Sequence, residues 1–216
     1  MEVSGKKKGT FTYNGYVYDV VVTYKKGKKN ITYRFRNNTF QISAPVLTPH
    51  FVISNGLKKF APRLIKFEAK EKPIGKNYVY ILGHKVDKTT GIISLGDKKI
   101  KFSNDDELKK ELKKVLLDIV SDYTKYYEIA MKTFSDVKVS VRDMSTRYGS
   151  NSKKTDRISY ALTLIHYDIE IIKSIVVHEV AHCIHFNHGK EFHALVRRYC
   201  PNYDVLHKKL IKGEYK

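Results

Sequence analysis

Alternation of apolar and polar positions dominates the first hundred residues. Phe11 and Tyr13 alternate with threonines, Asn14-Gly15 is a two-residue hairpin signal, and Tyr16, Tyr18, Val20, Val22 and Tyr24 alternate again. Tyr33, Phe35, Phe40 and Ile42 repeat the pattern around Asn37-Asn38, so a second hairpin is expected over residues 31–42. A short helix is expected over residues 49–65, with Phe51, Leu57 and Phe60 as its apolar stripe. A third strand pair is expected over residues 78–102, punctuated by Gly83, Gly91 and Gly96.

At Asn104 the period changes. Asn104 followed by Glu107 forms a capping box, and Leu108, Leu112, Val115, Leu116, Ile119, Tyr123 and Tyr127 recur at helical spacing to about Thr133. Residues 137–143 and 158–165 alternate as strands, with a loop at residues 145–152 between them. Asp168 is placed to cap a helix that carries Ile171, Ile172, Ile175 and Val176. Another helix is expected over residues 190–199, stopped by Pro201 and followed by a short helical tail. The chain therefore reads as α+β. A β-rich N-terminal unit over residues 1–103 precedes a second domain over residues 104–216.

The apolar helix of the second domain ends in His178-Glu179-Val180-Ala181-His182, a His-Glu-x-x-His signature. Residues four apart share one helix face, about 6 Å apart along the axis. Two imidazoles so placed can hold one tetrahedral zinc ion, and the Glu beside the first can take a proton from the attacking water. His185 lies on the same face, but seven residues span about 10 Å along the axis, too far from an ion between His178 and His182. A third ligand is therefore expected from beyond the helix end. Asn187 tolerates a left-handed conformation and can end the helix, bringing His188 back toward the ion. His188 is the choice for third ligand, with His193 and His185 as alternatives that otherwise sit near the site or on the surface. Cys183 reads as a small core residue.

Charge adds a second theme. Residues 1–104 carry 21 Lys+Arg against 6 Asp+Glu, or +15, whereas residues 105–216 carry 20 against 16, or +4. An excess confined to one half suits a surface for nucleic acid or another polyanion. A lysine-rich compositional bias is the plainer reading, but it does not explain the near balance of the second half. No apolar run reaches the ~18 residues that span a bilayer, and the basic start lacks the apolar stretch of a secretory signal. Cys183 and Cys200 form no metal-type pair and read as reduced thiols, so a cytoplasmic protein is expected.

From Val139 onward the chain resembles the YgjP-like metal-dependent hydrolases, relatives of the SprT/Spartan-type zinc proteases. That family shows Arg-Trp-Gly-Ser-Cys, a strand, a helix with His-Glu-x-x-His, then Asn-His-Ser and Phe-Trp. The corresponding segments here are Arg147-Tyr148-Gly149-Ser150-Asn151, residues 158–164, His178 to His182, Asn187-His188-Gly189 and Phe192-His193. His188-Gly189-x-x-Phe192 is also similar to the Spartan-type element that supplies a third ligand. Ile42-Ser43-Ala44-Pro45 and Tyr80-Ile81-Leu82-Gly83 match the family less specifically. Tyr148, Asn151 and His193 stand where the family has Trp, Cys and Trp, and the ligand histidines and Glu179 are intact.

The resemblance implies a minimal zincin-like metallopeptidase domain that hydrolyses peptide bonds with one zinc per chain. Its site set is His178, His182 and His188 on the metal and Glu179 as general base. Arg147, Tyr148 and His193 are the candidates for the substrate groove, and Tyr148 and His193 also for oxyanion stabilisation, between which the sequence does not choose. The partner is a protein or peptide substrate. The other reading is a nucleic-acid-binding protein with a zinc site, or a protease directed to nucleic-acid-bound proteins, as the Spartan-type relatives suggest.

Overall fold

The computed structural model describes residues 5–68 and 71–216. Its contacts divide the chain into two compact units, residues 1–72 and 73–216.

In the first unit, β1 (Lys6–Tyr13) and β2 (Tyr16–Lys25) form an antiparallel hairpin, as do β3 (Thr32–Arg36) and β4 (Thr39–Pro45). Both hairpins turn through positive φ at the expected pairs, Asn14-Gly15 and Asn37-Asn38, which matches the right-handed twist of their strands. The hairpins join through β2 and β4, which run parallel, so the sheet order is β1-β2-β4-β3. The register sets Val20 beside Phe40 and Val22 beside Ile42 on one face. Against them packs α1 (His50–Glu68) through Ile53, Leu57 and Ala61. The expected stripe of Phe51, Leu57 and Phe60 is corrected, since Phe51 is 64% and Phe60 39% exposed. The helix turns its small and aliphatic i, i+4 row inward instead, because the sheet already supplies the aromatic rings. Gly56 permits the close approach: Tyr33 Cε2 lies 3.1 Å from where a β-carbon would stand, and the Tyr33 hydroxyl donates to Ile53 O at 3.3 Å.

The second unit begins earlier than residue 104. Residues 78–102 form two hairpins, β5 (Tyr78–Ile81) with β6 (His84–Asp87), and β7 (Ile92–Leu95) with β8 (Lys98–Lys101), not one strand pair. Their buried Val79, Ile81, Ile93 and Ile100 belong to the core of the second unit. The boundary expected at 103/104 therefore falls at 72/73: local alternation marked these residues as strands, and only packing assigns them a core.

Helix α2 (Asp105–Ala130) starts at the expected Asn104 cap, with Glu107 reaching back to the residue before the cap instead of to the Asn104 N–H. Asn104 Oδ1 accepts from the Glu107 N–H at 2.9 Å, and Glu107 Oε2 accepts from the Ser103 N–H at 2.8 Å. It buries Leu108, Leu112, Leu116 and Val120. A three-stranded sheet in the order β10-β11-β9 follows, built from β9 (Lys138–Arg142), β10 (Gly149–Ser152) and β11 (Arg157–Ala161). β10 lies within the segment expected to be loop, and the strand expected over 158–165 ends at Ala161, where a 3-10 turn, Leu162–His166, takes over. Helix α3 (Ile169–Ala181) is capped by Asp168, whose Oδ1 accepts from the Glu170 N–H at 2.8 Å. It is apolar nearly all round, as a central helix must be. α4 (Lys190–Tyr199) and α5 (Tyr203–Lys212) complete an α+β fold. Among the described residues no helix is long and apolar enough to cross a membrane.

Candidate metal centre

Helix α3 delivers His178 in its last turn, and His182 is the residue that ends it. The chain does not continue helically to Asn187. The Ile184 N–H and the His185 N–H both donate to Ala181 O, tightening the end, and Asn187 has no positive φ. The expected left-handed stop at Asn187 is thus corrected to an earlier 3-10 closure. It still returns His188 to the helix face. His178, His182 and His188 each present one ring nitrogen, and these atoms lie within 4.8 Å of one another. His178 Nε2 and His188 Nε2 are 3.2 Å apart.

The surroundings hold these rings in place. Phe192, fully buried in α4, packs against all three, with ring centroids 4.9, 4.5 and 4.8 Å from His178, His182 and His188. His182 Nδ1 is 3.0 Å from His185 O, and His178 Nδ1 is 2.8 Å from the Tyr203 hydroxyl. Burial, and next the neighbouring His182 and His188, lower the pKa of His178 to about 3. Burial first, and His188 among the neighbours, also lowers that of His182. Neutral imidazoles with free lone pairs are what a metal needs.

The side chain of Glu179 lies against β10. It is 5% exposed, and burial raises its pKa to about 8 against opposing effects of Asn151 and Arg147. Gly149 is what admits it: a β-carbon there would lie 2.6 Å from Glu179 Cδ and 2.7 Å from Cγ. Asn151 Nδ2 donates to Glu179 O at 2.8 Å and to Cys183 Sγ at 3.3 Å, tying β10 to the end of α3.

The remaining candidates separate. Arg147 is exposed, donates to Ser150 Oγ at 3.3 Å, and its charge reaches Glu179. The Tyr148 hydroxyl lies 3.4 Å from both Tyr167 Oη and Leu210 O. His193 is half-buried, with its ring 6.4 Å from that of His188 and its Nδ1 buried without a hydrogen-bond partner. His185 contributes its carbonyl to His182 and faces Glu191 at 3.7 Å. Sequence reasoning missed Tyr203 and the part played by the Phe192 ring. Nothing local marks a tyrosine 25 residues from its partner.

The donor set fits a metal ion. Two nitrogens about 2.0–2.1 Å from a tetrahedral ion stand about 3.3 Å apart, close to the His178–His188 separation. Among the described residues, three protein donors without a fourth in the cluster match an open site.

A family model described as YgjP-like, metallopeptidase domain, matches residues 94–212. The chain is similar to the crystal structure of the metallopeptidase zymogen jannalysin of Methanocaldococcus jannaschii. The identity is 22% and the TM-score 0.40, covering 44% of this chain and 95% of that one. It is also similar to the metallopeptidase zymogen abylysin of Pyrococcus abyssi, at 19% identity and a TM-score of 0.41, covering 44% of this chain and 93% of that one. No curated protein matches the chain.

Proposed function

The chain belongs to the YgjP-like metallopeptidase family, and from that premise we propose that it is a zinc peptidase whose ion is held by His178, His182 and His188. The observation that carries this reading is the convergence of three imidazole nitrogens within 4.8 Å at the end of the helix that also carries the buried Glu179. Zinc at this position supplies Lewis-acid polarisation of the scissile carbonyl and a lowered pKa for water.

The residues do the rest. Glu179, held between α3 and Gly149, takes the proton of the attacking water and returns it to the leaving amine. β10 is an edge strand of its sheet, so an extended peptide can add to it by backbone pairing next to Glu179. Arg147, just before that strand, is placed to meet a substrate carboxylate. With the Tyr148 hydroxyl near Tyr167 and Leu210, His193, whose ring lies 6.4 Å from that of His188, is the better candidate to donate to the oxyanion.

The test is Glu179→Gln. The variant keeps one zinc per chain by metal analysis and loses about 10²–10⁴-fold in kcat/KM on a peptide the wild type cleaves. Unchanged turnover removes Glu179 from the reaction, and a wild type that binds no zinc removes the metal.

A second reading concerns the first unit. Strand register puts Lys6 and Lys8 of β1 and Arg34 and Arg36 of β3 on the sheet face opposite α1, all exposed, with Val21, threonine, serine and glutamine between them and Asp19 as the carboxylate. Such a face favours the phosphate backbone of a nucleic acid. Binding to duplex DNA should weaken steeply with salt and vanish when these four residues are reversed to glutamate. Binding that survives the reversal rejects this face.

A further inference from the structure

We propose that Tyr203 is a positioning residue that fixes the tautomer and ring angle of His178 and thereby sets metal affinity at the histidine cluster. This rests on the zinc reading above.

A neutral imidazole carries one N–H, on Nδ1 or on Nε2. His178 turns Nε2 to the cluster, 3.2 Å from His188 Nε2, and Nδ1 to the Tyr203 hydroxyl at 2.8 Å. A proton on Nε2 would leave His178 unable to ligate. When the proton sits on Nδ1, that N–H donates a hydrogen bond to the Tyr203 oxygen, which leaves the Nε2 lone pair free toward the cluster. The phenol ring adds orientation, since it stacks on His178 at 5.8 Å and 16°, and His207 stacks on Tyr203 at 5.4 Å and 16°. Tyr203 is itself buried, so no solvent competes strongly for the bond.

The two helix histidines are supported differently. His182 is held by His185 O, three residues away, in the turn that ends α3. His178 depends on α5, a separate helix whose seat includes the buried Leu210. Removing the hydroxyl should therefore affect the metal without unfolding the helix end.

The experiment compares zinc dissociation constants by competition with a chromophoric chelator, alongside melting of the metal-free proteins. Tyr203→Phe keeps the stacked ring and removes the acceptor. It is expected to bind zinc about 10–100-fold more weakly, with metal-free melting close to wild type. Leu210→Ala loosens α5 without touching His178. It is expected to melt earlier while keeping zinc affinity within about threefold of wild type, well short of the loss that follows removal of a supporting hydrogen bond. Equal affinity of Tyr203→Phe and wild type overturns the proposal, and so does an equal loss in Leu210→Ala, because α5 packing alone would then account for it. If Tyr203→Phe does not fold, 3-fluorotyrosine at position 203 keeps the ring and weakens the oxygen as acceptor. Weaker zinc binding then supports the proposal and unchanged binding overturns it. A wild type that binds no zinc, or a His178→Ala variant that binds as tightly as wild type, sinks the zinc reading itself, a result separable from any difference between wild type and Tyr203→Phe.

Discussion

The two units differ most in what they bury. Among the described residues of the first unit, the buried side chains are hydrophobic, led by Phe40, Ile42, Ile53 and Ala61. The second unit buries Lys88, Thr124, Glu128, Ser159, His166, Ser174 and Glu179 as well as its apolar core. Burying a polar group costs free energy unless a partner replaces water. Several of those partners are present: Tyr160 for Thr124, the Val137 N–H for Glu128, Tyr80 O for His166. The first unit is thus a sheet and helix held by side-chain packing with its charge outside. The second accepts the cost of interior polar groups, and Glu179, the carboxylate proposed as the base, is one of them.

The contrast can be broken by substitution. Phe40→Ala should destabilise the first unit by about 3–5 kcal/mol through the cavity it leaves among Phe11, Tyr18 and Phe35. Hydrogen exchange followed by segment should show the loss in β1–β4 and leave α3 protection unchanged. Loss of protection throughout would mean that the two units unfold as one.

Gly149→Ala makes the complementary change in the second unit. The new methyl group occupies the space of the Glu179 side chain, so a destabilisation of about 1–3 kcal/mol is expected from overpacking. A fall in kcat/KM should accompany it with zinc content retained. Full activity in this variant would show that Glu179 has room to move and that the small size of Gly149 is not required.

The smallest effect is in pH dependence. Burial lowers the pKa of His166, opposed by its hydrogen bond to Tyr80 O. With the folded pKa below the unfolded value near 6.5, the unfolded chain binds more protons between the two. The stability that His166 contributes is therefore complete above pH 6.5 and is lost as pH falls toward the folded value. His166→Asn retains a donor for Tyr80 O and cannot ionise. Denaturant titrations of the second unit from pH 6.5 to 5 should show its slope reduced by at most about 1.4 kcal/mol per pH unit. An unchanged slope in His166→Asn would place the acid sensitivity on other groups.

What the sequence alone determined is what local geometry controls. Asn14-Gly15 and Asn37-Asn38 select hairpin turns because their backbones accept positive φ, and Asn104 starts α2 because its side chain reaches N–H groups two and three residues on. The His178–His182 spacing brings two imidazoles together on any helix. Tertiary structure decided the rest, since those relations join residues far apart in the chain. It moved the unit boundary to residue 72/73, because four aliphatic side chains between residues 79 and 100 pack into the second core. It turned Tyr148 toward Tyr167 and Leu210, set the Phe192 ring against the three histidines, and brought Tyr203 to His178 across 25 residues. Periodicity reports which face of an element is apolar, but the neighbour that covers that face is chosen only when the elements pack.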